Sequence, residues 1–191
     1  MARQADRILD EFLAASARAG DPAAFEALSR RWAPRLLSHA WRLTGEAELA
    51  RDTAQDAWSD IVANIRRLDD TAAFPAWAFR IVTRRAADAI RKRQRGRAGL
   101  AAYAAERSGD HVGASDIEAR ASSASIGAAL AALPAGQRAA IALFYLEDMS
   151  VAEIASALDV PAGTVKTRLM AAREKLKAAL GVTTETENEQ A

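Results

Sequence analysis

Residues Leu133 to Leu180 read LPAGQRAAIALFYLEDMSVAEIASALDVPAGTVKTRLMAAREKLKAAL. Their spacing predicts two short helices, a tight turn and a longer basic helix. Ser150 is an N-cap, and Glu153 three residues on completes a capping box. Val151, Ile154, Ala155 and Leu158 then fall on one helical face. Asp159 and Val160 make the turn. Pro161 and Gly163 open the next helix, because the first backbone N–H of a helix needs no partner there. Over 162–180, Val165, Leu169, Ala172 and Leu176 form the inner face, so Lys166, Thr167, Met170 and Arg173 point elsewhere. This is a helix-turn-helix whose second helix carries Lys166, Arg168, Arg173, Lys175 and Lys177 against Glu174. Such a helix suits the DNA major groove. A Lys/Arg-rich surface helix of a bundle is the plainer reading, but it would need neither the capping box nor the turn.

Outward from that stretch, the chain reads as all-α. Of its 191 residues 50% are hydrophobic, much of that alanine, and only 6% are aromatic, which favours helices over sheets. No run alternates with period two for long enough to make a strand. The absence of cysteine excludes disulfides, thiolate metal sites and a cysteine nucleophile. Two isolated histidines, His39 and His111, build no metal site, and His39 reads as a helix surface or packing residue. No signal peptide or membrane-spanning stretch is evident, so a cytoplasmic protein without membrane insertion is expected.

A net charge of +1 conceals segregation. Residues 80–97 hold Arg80, Arg84, Arg85, Arg91, Lys92, Arg93, Arg95 and Arg97, opposed by Asp88. Residues 46–60 hold Glu46, Glu48, Asp52, Asp56 and Asp60, opposed by Arg51. Separated charge suggests separate partners.

In chain order, a first helix over 6–19 is expected to turn Ile8, Leu9, Phe12 and Leu13 inward. Asp21 as N-cap and Pro22 at the first position start a second helix, with Phe25, Leu28, Trp32, Leu36 and Leu37, interrupted or kinked near Pro34 and closed by Thr44 and Gly45. A third helix, roughly 46–68, has an apolar face at Ala54, Ala57, Trp58, Ile61 and Ile65. Its acidic face holds Glu48, Asp52 and Asp56, with Gln55 and Asp60 nearby. A fourth begins after Asp69, Asp70 and Thr71, with Phe74, Trp77, Phe79, Ile81 and Ile90 as core candidates and a basic end. Aromatic and basic side chains interleaved on one element suit single-stranded nucleic acid, which offers base faces for stacking and an anionic backbone. Core packing is the plainer role for Trp77 and Phe79. From 96 to 125 the pattern fails and reads as a weakly structured linker.

In this order the features resemble the extracytoplasmic-function (ECF) sigma factors of bacterial RNA polymerase. The resemblance rests on Leu133-Pro134, Gln137-Arg138, Ser150, Glu153-Ile154-Ala155, Gly163 through Arg168 and Ala172-Arg173. Asp52, Gln55-Asp56 and Phe79-Arg80-Ile81 through Asp88 and Arg91 match more loosely. It implies two small helical domains: 6–95 for core polymerase and the −10 element, and 126–180 for the −35 element. A linker at 96–125 joins them, and a disordered acidic tail at 181–191 follows. It further implies that Asp52, Gln55 and Asp56 dock on core polymerase, and that Trp77, Arg80, Arg84, Asp88 and Arg91 meet the −10 element. Thr164, Lys166, Thr167, Arg168, Met170 and Arg173 would serve the −35 helix. Promoter DNA, core RNA polymerase and an anti-sigma factor are the implied partners, with no cofactor, metal, small-molecule substrate or catalysis. The chain has Arg84 where the family usually has Asn, Arg85 where a bulky apolar residue is usual, and Ala171 where a longer polar residue is frequent. A stand-alone helix-turn-helix regulator is the alternative. A nuclease would need carboxylates clustered for metals.

Overall fold

The computed structural model describes residues 2–104 and 123–180. Eight α-helices make up the described fold: α1 (Ala2–Ala19), α2 (Pro22–Thr44), α3 (Ala47–Asn64), α4 (Phe74–Ala104), α5 (Ser123–Ala131), α6 (Ala135–Tyr145), α7 (Val151–Leu158) and α8 (Ala162–Leu180). Two short 3-10 turns, Ile65–Arg67 and Thr71–Ala73, join α3 to α4. No strand occurs among the described residues.

The helix boundaries follow local chemistry. The Asp21 carboxylate accepts from the N–H groups of Ala23 and Ala24, and Pro22 follows at the first position. Gly45 ends α2 in the left-handed region at φ 74°, where a Cβ would be strained. Between these ends α2 is continuous through Pro34, which lies inside the helix on its exposed side.

Trp32 is the centre of the N-terminal core. It is fully buried, with the rings of Phe74 and Phe79 edge-on at 5.2 and 5.6 Å. Leu28, Leu36, Ile61 and Val82 complete the interior. Around these few large side chains the helices are lined with alanine. α3 buries Ala50, Ala54 and Ala57, and α4 buries Ala76, Ala78 and Ala86; α3 packs on α2 and α4, and α4 on α2, α3 and α7.

The first helix departs from its predicted face. Leu13 is buried, but Ile8 is 59%, Leu9 41% and Phe12 65% exposed. The inward face is Asp10, Leu13, Ala14 and Ala17. Burying the Asp10 carboxylate is tolerable because Arg31 Nε donates to it at 2.8 Å and Arg35 Nη1 lies 3.4 Å away. The fourth helix also differs in extent. It continues to Ala104, through the first nine residues of the expected 96–125 linker, and α5 begins at Ser123. Alanine and arginine, frequent over this stretch, are strong helix formers. The rest of that segment and the 181–191 tail lie outside the described residues.

The capping box forms as expected: Glu153 N–H donates to Ser150 Oγ at 3.2 Å and Ser150 N–H to Glu153 Oε2 at 2.7 Å. Asp159 ends α7 in the left-handed region at φ 53°. In α8, Val165, Leu169 and Ala172 are buried and Leu176 is half-buried.

The two halves pack against one another. α7 lies on α4, and α6 on α2. Arg35 pairs with Glu147 at 2.7 Å, and Arg138 Nε donates to the Arg42 carbonyl at 2.9 Å.

Candidate nucleic-acid interface

Among the expected −35 residues, α8 presents Lys166, Thr167 and Met170 to solvent, with Met170 62% exposed. The Thr167 hydroxyl donates back to the Gly163 carbonyl at 3.0 Å, which fixes its rotamer and leaves its oxygen lone pairs facing outward. Thr164 and Arg168 are half-buried. The Arg168 guanidinium lies over Gly136 so closely that a Cβ there would come within 3.1 Å of its Cζ. Arg173 is held by Tyr145, its Nε donating to the phenol oxygen at 3.0 Å, and its guanidinium sits 5.3 Å from the Phe144 ring. The structure thus separates an outward-facing trio from two arginines drawn back onto α6.

On α3, Asp52, Gln55 and Asp56 are exposed together on one face, and no ion pair or hydrogen bond involves their side chains. Asp60, further along, is engaged: Arg85 of α4 makes a bidentate pair with its carboxylate. That explains an arginine at 85. It bridges α3 to α4, so its charge is spent inside the protein.

On α4, Trp77 is half-buried with its ring 6.0 Å from Phe74. Asp88 and Arg91 pair one turn apart. Arg80 and Arg84 both reach the same carboxylate on the other half of the chain: Arg80 Nη2 lies 2.9 Å from Asp159 Oδ1, and Arg84 Nη2 3.3 Å from Asp159 Oδ2. Desolvation pushes the Asp159 carboxyl up, but Arg84 and Arg80 together outweigh it and hold the group below the usual carboxylate range.

Of the two roles open to His39, surface or packing, the structure has the second: it is fully buried, and burial, with Arg42 nearby, pushes its imidazole down to about 3. The Thr83 hydroxyl gives its proton to the Phe79 carbonyl, so it accepts from His39 Nε2 at 3.0 Å. An apolar groove of about 640 Å³ between α2, α5, α6 and α8 escaped sequence reading. Trp41, Leu130, Tyr145, Leu146 and Leu180 line it, and Arg42, Arg138 and Lys177 stand among them. No group of His, Asp and Glu residues among those described is placed to hold a metal.

Comparison with known proteins defines the class. Residues 28–96 match Sigma-70 region 2, and residues 123–176 match Sigma-70, region 4. The chain is 33% identical to the ECF RNA polymerase sigma factor SigM of Mycobacterium tuberculosis, over 90% of this chain and 85% of that one. It is 29% identical to SigW of Bacillus subtilis, covering 83% and 89%. Among solved structures, CnrH in complex with the cytosolic domain of CnrY is similar at 28% identity and a TM-score of 0.62, covering 91% of this chain and 97% of that one. RpoE of Bartonella quintana, solved with the anti-sigma factor NepR, is similar at 25% identity and a TM-score of 0.66, covering 83% and 97%. The chain belongs to the ECF sigma factors of RNA polymerase.

Proposed function

We propose that this protein binds core RNA polymerase through Asp52, Gln55 and Asp56, and reads a −35 element with α8 and a −10 element with α4. The reading rests on one observation above the others. Both sigma regions are present in order, and the helix-turn-helix leaves Lys166, Thr167 and Met170 facing outward from a buried apolar stripe. A major groove accepts such a helix, and side chains at its outer face read base edges while cations nearer the backbone position it. For the −10 element the work falls to Trp77, Arg80, Arg84, Asp88 and Arg91. A base must leave the stack before a pocket can read its edge, and a ring beside cations is suited to hold it.

The protein acts without chemistry of its own, in the cytoplasm where the polymerase works. No helix among the described residues is long and apolar enough to cross a membrane. An anti-sigma factor is its expected regulator, supported by similarity to the sigma factor RpoE solved with the anti-sigma factor NepR.

Run-off transcription with purified core polymerase and a promoter library tests the proposal. Specific transcripts should appear only when the protein is added. Duplex binding without transcripts would instead favour a stand-alone regulator. Lys166→Ala should weaken −35 duplex binding about tenfold, measured by fluorescence anisotropy. Asp52→Ala with Asp56→Ala should lower core-polymerase affinity about tenfold or more while leaving −35 binding unchanged. Unaltered polymerase affinity would reduce that face to ordinary solvated surface.

A further inference from the structure

In the unbound chain the turn of the helix-turn-helix occupies two of the arginines assigned to the −10 element. Asp159 is the first of the three residues between α7 and α8, and its carboxylate takes both Arg80 and Arg84, one on each oxygen. We propose that Asp159 is an intramolecular latch, which holds the −10 face of α4 closed until the two halves separate. The DNA-facing half of this proposal rests on the sigma-factor reading; the latch itself does not.

Three observations carry it. First, the contact is charge-assisted, and the groups on either side have no competing acid or base at that carboxylate. DNA phosphates would compete with the Asp159 carboxylate for these guanidinium groups, most directly at Arg84, whose Nε and Nη2 both face it. Second, the closed arrangement cannot serve both promoter elements. Arg80 touches Asp159, and Lys166 is seven residues further on, so the two readers lie within ~25 Å of one another even at full extension. Elements some 25 base pairs apart are separated by roughly 85 Å at 3.4 Å per step. Opening is therefore obligatory for function. Third, the closure is incomplete at the atomic level. The Arg80 Nε is buried without a partner while Nη2 alone reaches Asp159, so the pair is not the bidentate clasp of a permanent contact. Exposed ion pairs are individually weak, so the contact is suited to a reversible latch.

The closed form leaves the −35 trio exposed. Its effect is selective: Arg80 and Arg84 of α4 are engaged, and the trio on α8 is not. Other contacts between the halves, among them Arg35 with Glu147, Arg7 with Glu153, Arg138 with the Arg42 carbonyl and the packing of α7 on α4, align the surfaces without engaging the guanidinium groups of Arg80 and Arg84.

The test uses the full chain. It contains no cysteine, so cysteines placed at the exposed positions Ser59 and Ala178 carry spin labels at known sites in each half. Asp159→Asn removes the charge while keeping a residue that accepts the left-handed conformation, and Asp159→Gly does so by a second route. Pulsed electron resonance should show both variants shifted toward long interspin distances. The open-to-closed ratio should rise about threefold, and added salt should open the parent chain more than either variant. Binding of fluorescein-labelled dT12 should tighten by a similar factor, with −35 duplex binding unchanged as the check on folding. Distances that match the parent in both variants would overturn the latch, as would a parent chain already open at low salt. Failure of run-off transcription alongside normal opening would count against the sigma-factor reading and leave the latch standing.

Discussion

Trp32→Ala should destabilise the N-terminal half by about 3–5 kcal/mol, the usual loss for truncating a buried indole. Domains of this kind have only about 5–15 kcal/mol to lose, so much of the population should unfold near 37 °C. The reason lies in the composition of the core. Trp32, Phe74 and Phe79 are its largest fully buried side chains, and the two phenyl rings both pack edge-on against the indole. The core has few other large side chains, so little is available to fill the void. Arg35, whose guanidinium stacks 3.8 Å from the indole centroid, would lose that support as well. The indole Nε1 has no hydrogen-bond partner. Trp32→Phe therefore deletes an unpaired donor along with some volume and should cost about 1 kcal/mol. Urea unfolding followed by circular dichroism separates the two. Equal losses for Ala and Phe would mean that the core does not depend on ring packing.

The second large effect is an acid sensitivity centred on His39. Its folded-state value of about 3 lies below the ordinary 6.5. Between those values the unfolded chain binds a proton that the folded chain refuses. The contribution is complete above about pH 6.5 and declines as the pH falls, by up to about 1.4 kcal/mol per unit. By pH 4.5 the loss should be about 2–3 kcal/mol. Protonation would place an N–H on Nδ1, which has no acceptor, beside the cation of Arg42. His39→Gln can still donate to Thr83 but does not titrate. The difference in stability between pH 7.5 and pH 4.5 should be smaller in this variant by that amount. An identical pH dependence in both proteins would show that His39 is not the group responsible.

Local chemistry made much of this fold legible. The Ser150–Glu153 box, the Asp159 turn, the Asp21-Pro22 start and the Gly45 stop each depend on a few adjacent residues, and each formed as read. What was hidden depends on distant partners. Ile8, Leu9 and Phe12 are more apolar than Ala14 and Ala17, so their outward placement follows only once Arg31 and Arg35 of α2 are known to claim Asp10. The acidic face of α3 and the outer face of α8 were visible as periodicity, but the withdrawal of Arg168 and Arg173 onto α6 was not. Arg84 and Arg85 looked like two surplus cations on one basic helix. Folding assigns one to Asp159 and the other to Asp60, contacts made across 75 and 25 residues.

The seam of small buried residues along α3 and along α4 has a consequence for which substitutions the protein can absorb. Most cores fail by truncation, when a large side chain is lost and a hole remains. Here Ala50, Ala54, Ala57, Ala76, Ala78 and Ala86 occupy buried positions where there is almost nothing to truncate. The hazard runs the other way. Each added methyl has to displace a neighbouring helix, and a helix that moves takes its surface residues with it. Asp52, Gln55 and Asp56 ride on one of these helices, and Arg80 and Arg84 on the other. Mutational tolerance along the seam is therefore asymmetric, with enlargement rather than loss as its limit, and its first casualty would be the alignment of two recognition surfaces rather than the fold.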